Sequence, residues 1–340
     1  MKNFISRRHF LKYSGFSLAA FTFPAAVFSL QRNPYSGLNS DNYLGSVNVE
    51  TEVRDTDIFL EGPAVDGEGN VFFTNIPANK ILIWDPKARE LSVFRENSNS
   101  ANGLAFDKQG RLLACEGGGR VTRTNMQTGE IEVLADSYNG KELQSPNDLC
   151  FDGQGRIYFS SRGGEAGPDM TKKAVYRIDG DGSVHQLLSE PDVQMPNGLL
   201  TSPDHKTFYL IEAHSGEGKN RHLRAYDLHE DGSLSNMRIL YDFAPGRSGD
   251  GMAIDRRGNI YVAAGLHSRR GTSETLDTRP GIHVFSPRGE LIAYRETPVD
   301  TITNCTFGGE NLKTLYAVCG DLLVSMPTRI PGDHRYKIPG

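Results

Sequence analysis

The stretch DGQGRIYFS (residues 152–160) decides the reading of this chain: a Gly-flanked turn opened by Asp, then an apolar strand. It recurs as DGEGNVFFT from Asp66, DKQGRLLAC from Asp107, SPDHKTFYL from Ser202, DRRGNIYVA from Asp255 and GENLKTLYA from Gly309. Successive starts lie 41, 45, 50, 53 and 54 residues apart. Each block is followed by a further strand with its own turn, among them ILIWDPKAREL, VYRIDGDGSV and IHVFSPRGEL. Asp-Gly and Pro-containing turns between β-branched and aromatic runs are hairpin chemistry. Such a period, with about four strands per unit, predicts a propeller. No convincing helical apolar period appears outside the N-terminal segment. The fold class is therefore all-β: a six-bladed β-propeller over residues 46–327. The sixth unit runs out after three strands, because the tail at 328–340 lacks a strand pattern. Residues 47–53 alternate apolar and polar, and are expected to supply the missing outer strand of the last blade. Closing the ring this way removes exposed edges that invite aggregation.

The first 30 residues read differently. Lys2, Arg7, Arg8 and Lys12 precede an uncharged, largely apolar stretch at 13–30, the layout of a secretory signal. The string SRRHFLK at 6–12 resembles a twin-arginine export signal. A membrane anchor is the weaker reading, since Gly15, Pro24 and several Ser and Thr dilute the run. The expectation is an exported, periplasmic protein with a signal at 1–30, a linker at 31–45 and no stable membrane insertion after cleavage. Removing four positive charges takes the net charge from −5 to −5 − 4 = −9. Without a basic stripe, nucleic acid is an unsuitable partner. The four cysteines sit in apolar, strand-like contexts without metal-ligand spacing. They read as mostly buried thiols, with Cys305 and Cys319 the one pair close enough in sequence to check.

Five residues before each repeat start stand Glu61, Asn102, Asn147, Asn197, Asp250 and Asn304. Each precedes an apolar innermost strand, so six side chains bearing acceptor oxygens converge on the upper mouth of the channel. Any one of them reads equally well as a turn cap; all six in register do not. Two carboxylates with several amide oxygens suit one hard divalent cation, calcium first, with Zn²⁺, Mn²⁺ or Mg²⁺ as alternatives. The loops joining second to third strands return to the same face, and three are long: residues 162–173, 213–221 and 265–280. They carry Arg162, His214, His267, Arg269 and Arg270 toward a polar, anionic or hydroxylated substrate. In the second blade, Glu116-Gly-Gly-Gly-Arg120 brings Glu116 and Arg120 to the same rim, where the glycines either allow close approach of the backbone or only form a tight turn.

The segments EGPAVD, SPNDL, MPNGL and SGDGM, with LLACEGGGRVTR and TNCTFGG, resemble the gluconolactonase/regucalcin (senescence-marker protein) family from about Glu61 to Met326. The resemblance implies a six-bladed propeller with a divalent cation and a sugar-lactonase activity. By motif it implies Glu61, Asn147, Asn197 and Asp250 as metal ligands, with Asp250 also the general base and Asn102 near the substrate. Two departures fall in the pocket wall. Gly117-Gly118 follow ACE where relatives often have His, and the insertion at 265–280 is longer than in the shorter lactonases. A cation polarises a lactone carbonyl and a carboxylate beside it takes a proton from water; no Ser-His-Asp or GxSxG arrangement offers a covalent route. The alternatives are other metal-dependent sugar or phosphotriester chemistry at this site, or a non-catalytic propeller binding a sugar or protein around a structural cation.

Overall fold

The computed structural model describes residues 33–163, 167 and 170–333, and the chain divides into two units, residues 1–36 and 37–340. In the first unit the described residues form one turn, with the Ser36 N–H donating to the Asn33 carbonyl at 3.0 Å. The export signal and the end of the tail lie outside the described residues.

In the second unit the repeats fold into six four-stranded antiparallel sheets, the blades of a propeller. The innermost strands are Leu60–Val65, Ala101–Phe106, Pro146–Phe151, Pro196–Thr201, Gly249–Ile254 and Ile302–Gly308. They are largely buried, whereas the outermost strands, such as Glu90–Glu96 and Leu234–Asp242, face solvent along much of their length. This gradient explains the sequence pattern: continuous apolar runs near the axis and period-two alternation at the rim. Between blades the core is filled by Phe72, Phe73, Phe159, Tyr176, Phe208 and Phe285, all at most 1% exposed. Truncating one of these Phe residues to Ala costs about 3–5 kcal/mol.

The ring closes as the alternation at 47–53 predicts. Asn48–Glu52 pairs antiparallel with Leu322–Pro327 and completes the last blade. Residues 37–45, read from sequence as linker, instead dock on the propeller. Leu44 is fully buried in the core of the last two blades, the Arg295 guanidinium donates to its carbonyl at 2.7 Å, and the Tyr294 N–H donates to Ser40 Oγ at 3.0 Å. Part of the tail is anchored too: Asp333 N–H donates to the Ile254 carbonyl at 2.9 Å, and Gly332 N–H to that of Leu312 at 2.8 Å. Leu312 and Asp333 then line the lower end of the axial channel. All four cysteines are free thiols; Cys305 does not pair with Cys319. No helix among the described residues is long and apolar enough to cross a membrane.

The Asp that opens a repeat locks the hairpin between the first two strands of its blade. Asp152 Oδ1 accepts the N–H groups of Gln154 and Arg156 at 2.9 and 3.1 Å, and its Oδ2 accepts from Arg156 Nε and the Tyr158 hydroxyl at 2.6 and 3.0 Å. Asp66, Asp107 and Asp255 do the same. These Asx-type bonds hold one face of the propeller. The opposite end of each innermost strand is left to form the site.

Candidate active site at the propeller axis

Every innermost strand carries a break in its ladder near its start. The shifts fall between Glu61 and Ala64, Ala101 and Leu104, Pro146 and Leu149, Pro196 and Leu199, and Gly249 and Met252. A bulge frees residues from strand pairing and re-aims their side chains, and these intervals contain or border Glu61, Asn102, Asn147, Asn197 and Asp250. The residue after four of the five is Gly because the strands crowd at the axis. A Cβ at Gly198 would sit 2.2 Å from the Asp250 carbonyl oxygen, and one at Gly103 would sit 2.7 Å from that of Asn147. In the last blade the shift comes earlier, between Ile302 and Asn304. Asn304 is thereby set apart from the upper ring and lines the channel, where its Nδ2 donates to Asp148 Oδ2 at 3.2 Å.

Three members of the ring keep oxygen acceptors open. Buried Glu61 accepts one hydrogen bond, from the Gly62 N–H at 3.2 Å. The side chains of Asn102 and Asn147 line a cavity of about 630 Å³ together with Ser100, Ser145, Arg162 and Lys173. The other two are tied to each other. Asn197 Nδ2 donates to Asp250 Oδ1 at 2.5 Å, and the buried Arg247 guanidinium donates to Asp250 Oδ2 at 2.5 Å. Arg247 is itself fixed by the Ile302 and Gly265 carbonyls at 2.9 and 3.4 Å, so Asp250 is held from both neighbouring strands.

Burial, and then the negative charges of Asp250 and Asp148, push the Glu61 carboxyl well above the usual range; Arg162 opposes this. Burial likewise pushes Asp148 up to about 7, although the Leu149 N–H and the Asn304 amide favour its charged form. Asp250 is answered by Arg247, which leaves Glu61 and Asp148 as buried acidic groups without a salt-bridge partner among the described residues, a costly arrangement. Glu61, Asn147, Asn197 and Asp250 supply the oxygen donors that a hard cation requires, so the residues present fit one. Among the described residues no cluster of three His, Cys, Asp or Glu has the geometry of a metal site; the donor set here is half amide.

Of the residues read as substrate-facing, the structure brings Asn102, Asn147 and Arg162 together around the cavity. It does not bring Glu116 there. That carboxylate is fully buried, paired with Arg95, with Arg120 Nε at 2.5 Å and with Thr122 Oγ1 at 2.8 Å. Arg120 is spent on the same cluster, because its strand pairs directly with the one ending at Glu116. His214 Nδ1 accepts the Gly216 N–H at 3.0 Å within its own loop, and His267 Nε2 lies 3.1 Å from the Thr297 carbonyl; neither lines the cavity. Sequence reasoning missed Arg247, Asp148 and Lys173. Asp148 was legible as the third residue of PND, and Arg247 as the basic residue one turn ahead of GDG; Lys173 was seen only as the end of a loop.

Fold and site together define a six-bladed propeller with an acid–amide ring at its axis and a polar cavity beside it. The sequence profile of the SMP-30/Gluconolactonase/LRE-like region family matches residues 59–319, and the chain belongs to that family. It is 28% identical over 317 residues to the gluconolactonase of Zymomonas mobilis, covering 84% of this chain and 83% of that one. It is 27% identical over 281 residues to human regucalcin, covering 81% and 88%. The solved gluconolactonase of Xanthomonas campestris superposes with a TM-score of 0.69 at 26% identity, over 86% of this chain and 96% of that chain.

Proposed function

We propose that this protein is a metal-dependent sugar lactonase in which Asp250 is the general base. The observation that carries the reading is the pairing of two unlike carboxylates at one axis: Glu61, buried with one hydrogen bond, and Asp250, clamped by Arg247 and Asn197. Membership of a family whose relatives bear the name gluconolactonase supports the reaction class.

Glu61, Asn147, Asn197 and Asp250 would hold one divalent cation, Ca²⁺ best by its preference for oxygen donors. When bound, such an ion supplies Lewis-acid polarisation of a lactone carbonyl. Asn102 and Asn147 orient the sugar hydroxyls from the cavity wall. Asp250 takes a proton from the water that attacks the carbonyl carbon, the ring C–O bond breaks, and the proton passes to the departing ring oxygen to give the hydroxy acid. Arg247 keeps the Asp250 carboxylate in one orientation, which positioned proton transfer requires. The twin-arginine-type leader supports an exported, periplasmic setting; fractionation of the full-length chain tests it, and retention in the cytoplasm contradicts it.

The test is hydrolysis of a panel of aldonolactones by wild type and Asp250→Asn. The variant is expected to lose about 10²–10⁴-fold in turnover while keeping its fold. Hydrolysis by Asp250→Asn at the wild-type rate removes Asp250 as the base.

A further inference from the structure

We propose, building on the lactonase reading, that the substrate carries an anionic group, a carboxylate or phosphate on the sugar, which Arg162 receives. The cavity beside the axis is lined by two cationic side chains, Arg162 and Lys173, and by no carboxylate among the described residues. Lys173 is partly answered by Glu190, Nζ to Oε1 at 3.5 Å. Arg162 is not. Half-buried, it spends its Nε on the Met195 sulfur at 3.5 Å, and its two terminal nitrogens find no acceptor among the described residues. The nearby carboxylate that feels its charge is Glu61, which a divalent cation would claim. With that cation in place the guanidinium faces the cavity without a counter-ion among the described residues.

The rim reinforces the same sign. Arg221 is buried and bonded to the carbonyls of His214, Pro245, Ser215 and Gly216 and to Ser273, with no carboxylate partner among the described residues. His214 is held below its usual pKa by burial and then by Lys173, Lys219, Arg221 and Arg162, which reports four cations around one loop. This local field stands against a chain whose net charge is −5. Around Arg162, Ser100, Ser145, Asn102 and Asn147 offer hydroxyls and amides without partners among the described residues. A hydroxylated anion satisfies all of them, and a planar guanidinium takes a carboxylate or phosphate through two parallel bonds.

Steady-state kinetics on the full chain would compare neutral gluconolactone with glucarolactone, which bears a carboxylate, and phosphogluconolactone, which bears a phosphate. Wild type is expected to favour at least one charged lactone by about ten- to a hundredfold in kcat/KM, less so at high salt. Arg162→Met should collapse that ratio, mainly through KM, and Arg162→Lys should restore part of it. The better of the two charged substrates distinguishes carboxylate from phosphate. Equal or better use of gluconolactone by wild type, or a preference unchanged in Arg162→Met, overturns the proposal. If no lactone is hydrolysed, the lactonase reading fails separately, and calorimetry with neutral glucitol, gluconate and phosphogluconate decides the anion site. Tighter binding of either anion than of glucitol, lost in Arg162→Met, sustains it; glucitol bound as tightly as both anions, or no binding at all, overturns it.

Discussion

Carboxylates stand at both ends of the innermost strands, and the two ends treat them oppositely. At the hairpin end, Asp66, Asp107, Asp152 and Asp255 each have both oxygens occupied by their own turn, as when Asp255 takes the N–H groups of Arg257 and Asn259 and the Asn259 amide. At the opposite end Glu61 has a single bond, and Asp250 is held by side chains alone, Asn197 on one oxygen and Arg247 on the other. Residue type and spacing are alike at the two ends. What differs is the source of the donors: a carboxylate filled by the backbone of its own turn is architecture, and a buried one left open, or held only by side chains around the axis, is a site.

The comparison breaks hardest at Glu61. Glu61→Gln should weaken cation affinity and lower turnover by more than about 100-fold, beyond what loss of an outer partner costs; an unchanged metal titration removes Glu61 from the ligand set. Arg247→Met should lower turnover by about 10–100-fold, because Asp250 loses the group that orients it. Deleting a positive charge beside the donors should at the same time leave cation affinity equal or tighter. Loss of metal binding in step with turnover would instead mark Arg247 as merely structural. At the hairpin end the effects reverse. Asp152→Ala strands two backbone N–H groups, a guanidinium and a hydroxyl, and should cost about 1–3 kcal/mol of stability with turnover unchanged in the folded fraction. Impaired kcat at full folding contradicts a purely architectural role there.

The smallest effect sharpens the contrast through pH. Asp148 is raised from 3.8 to about 7 by burial, so in the metal-stripped protein the stability it contributes is fully present below pH about 4 and is lost as pH climbs through 7. Asp148→Asn should therefore gain on wild type in thermal midpoint across that window. A constant difference between the two contradicts the assignment.

The propeller was legible because its repeat is carried by backbone chemistry: a polar turn, opened by Asp in four of the six blades, then an apolar strand. The ring was legible for a related reason, since four of the bulges need Gly after the acceptor and write the motifs EGP, ANG, PNG and GDG into the chain. What stayed hidden depends on neighbours distant in sequence. Glu116 and Arg120 look like rim residues until Arg95, 21 residues before Glu116, arrives to pair with the buried Glu116 carboxylate. Asn304 counts into register but turns down the axis because its own ladder shifts earlier. Leu44 reads as linker because its partners lie in the last two blades.

The most direct measurement is the initial rate of gluconolactone and charged-lactone hydrolysis by the full chain before chelation, after it, and after adding back Ca²⁺, Mn²⁺, Zn²⁺ or Mg²⁺ singly. Turnover should be lost on chelation and restored by one of these ions in wild type, with no restoration in Glu61→Gln at the same concentration. Full activity in the chelated protein would contradict the metal-dependent reading.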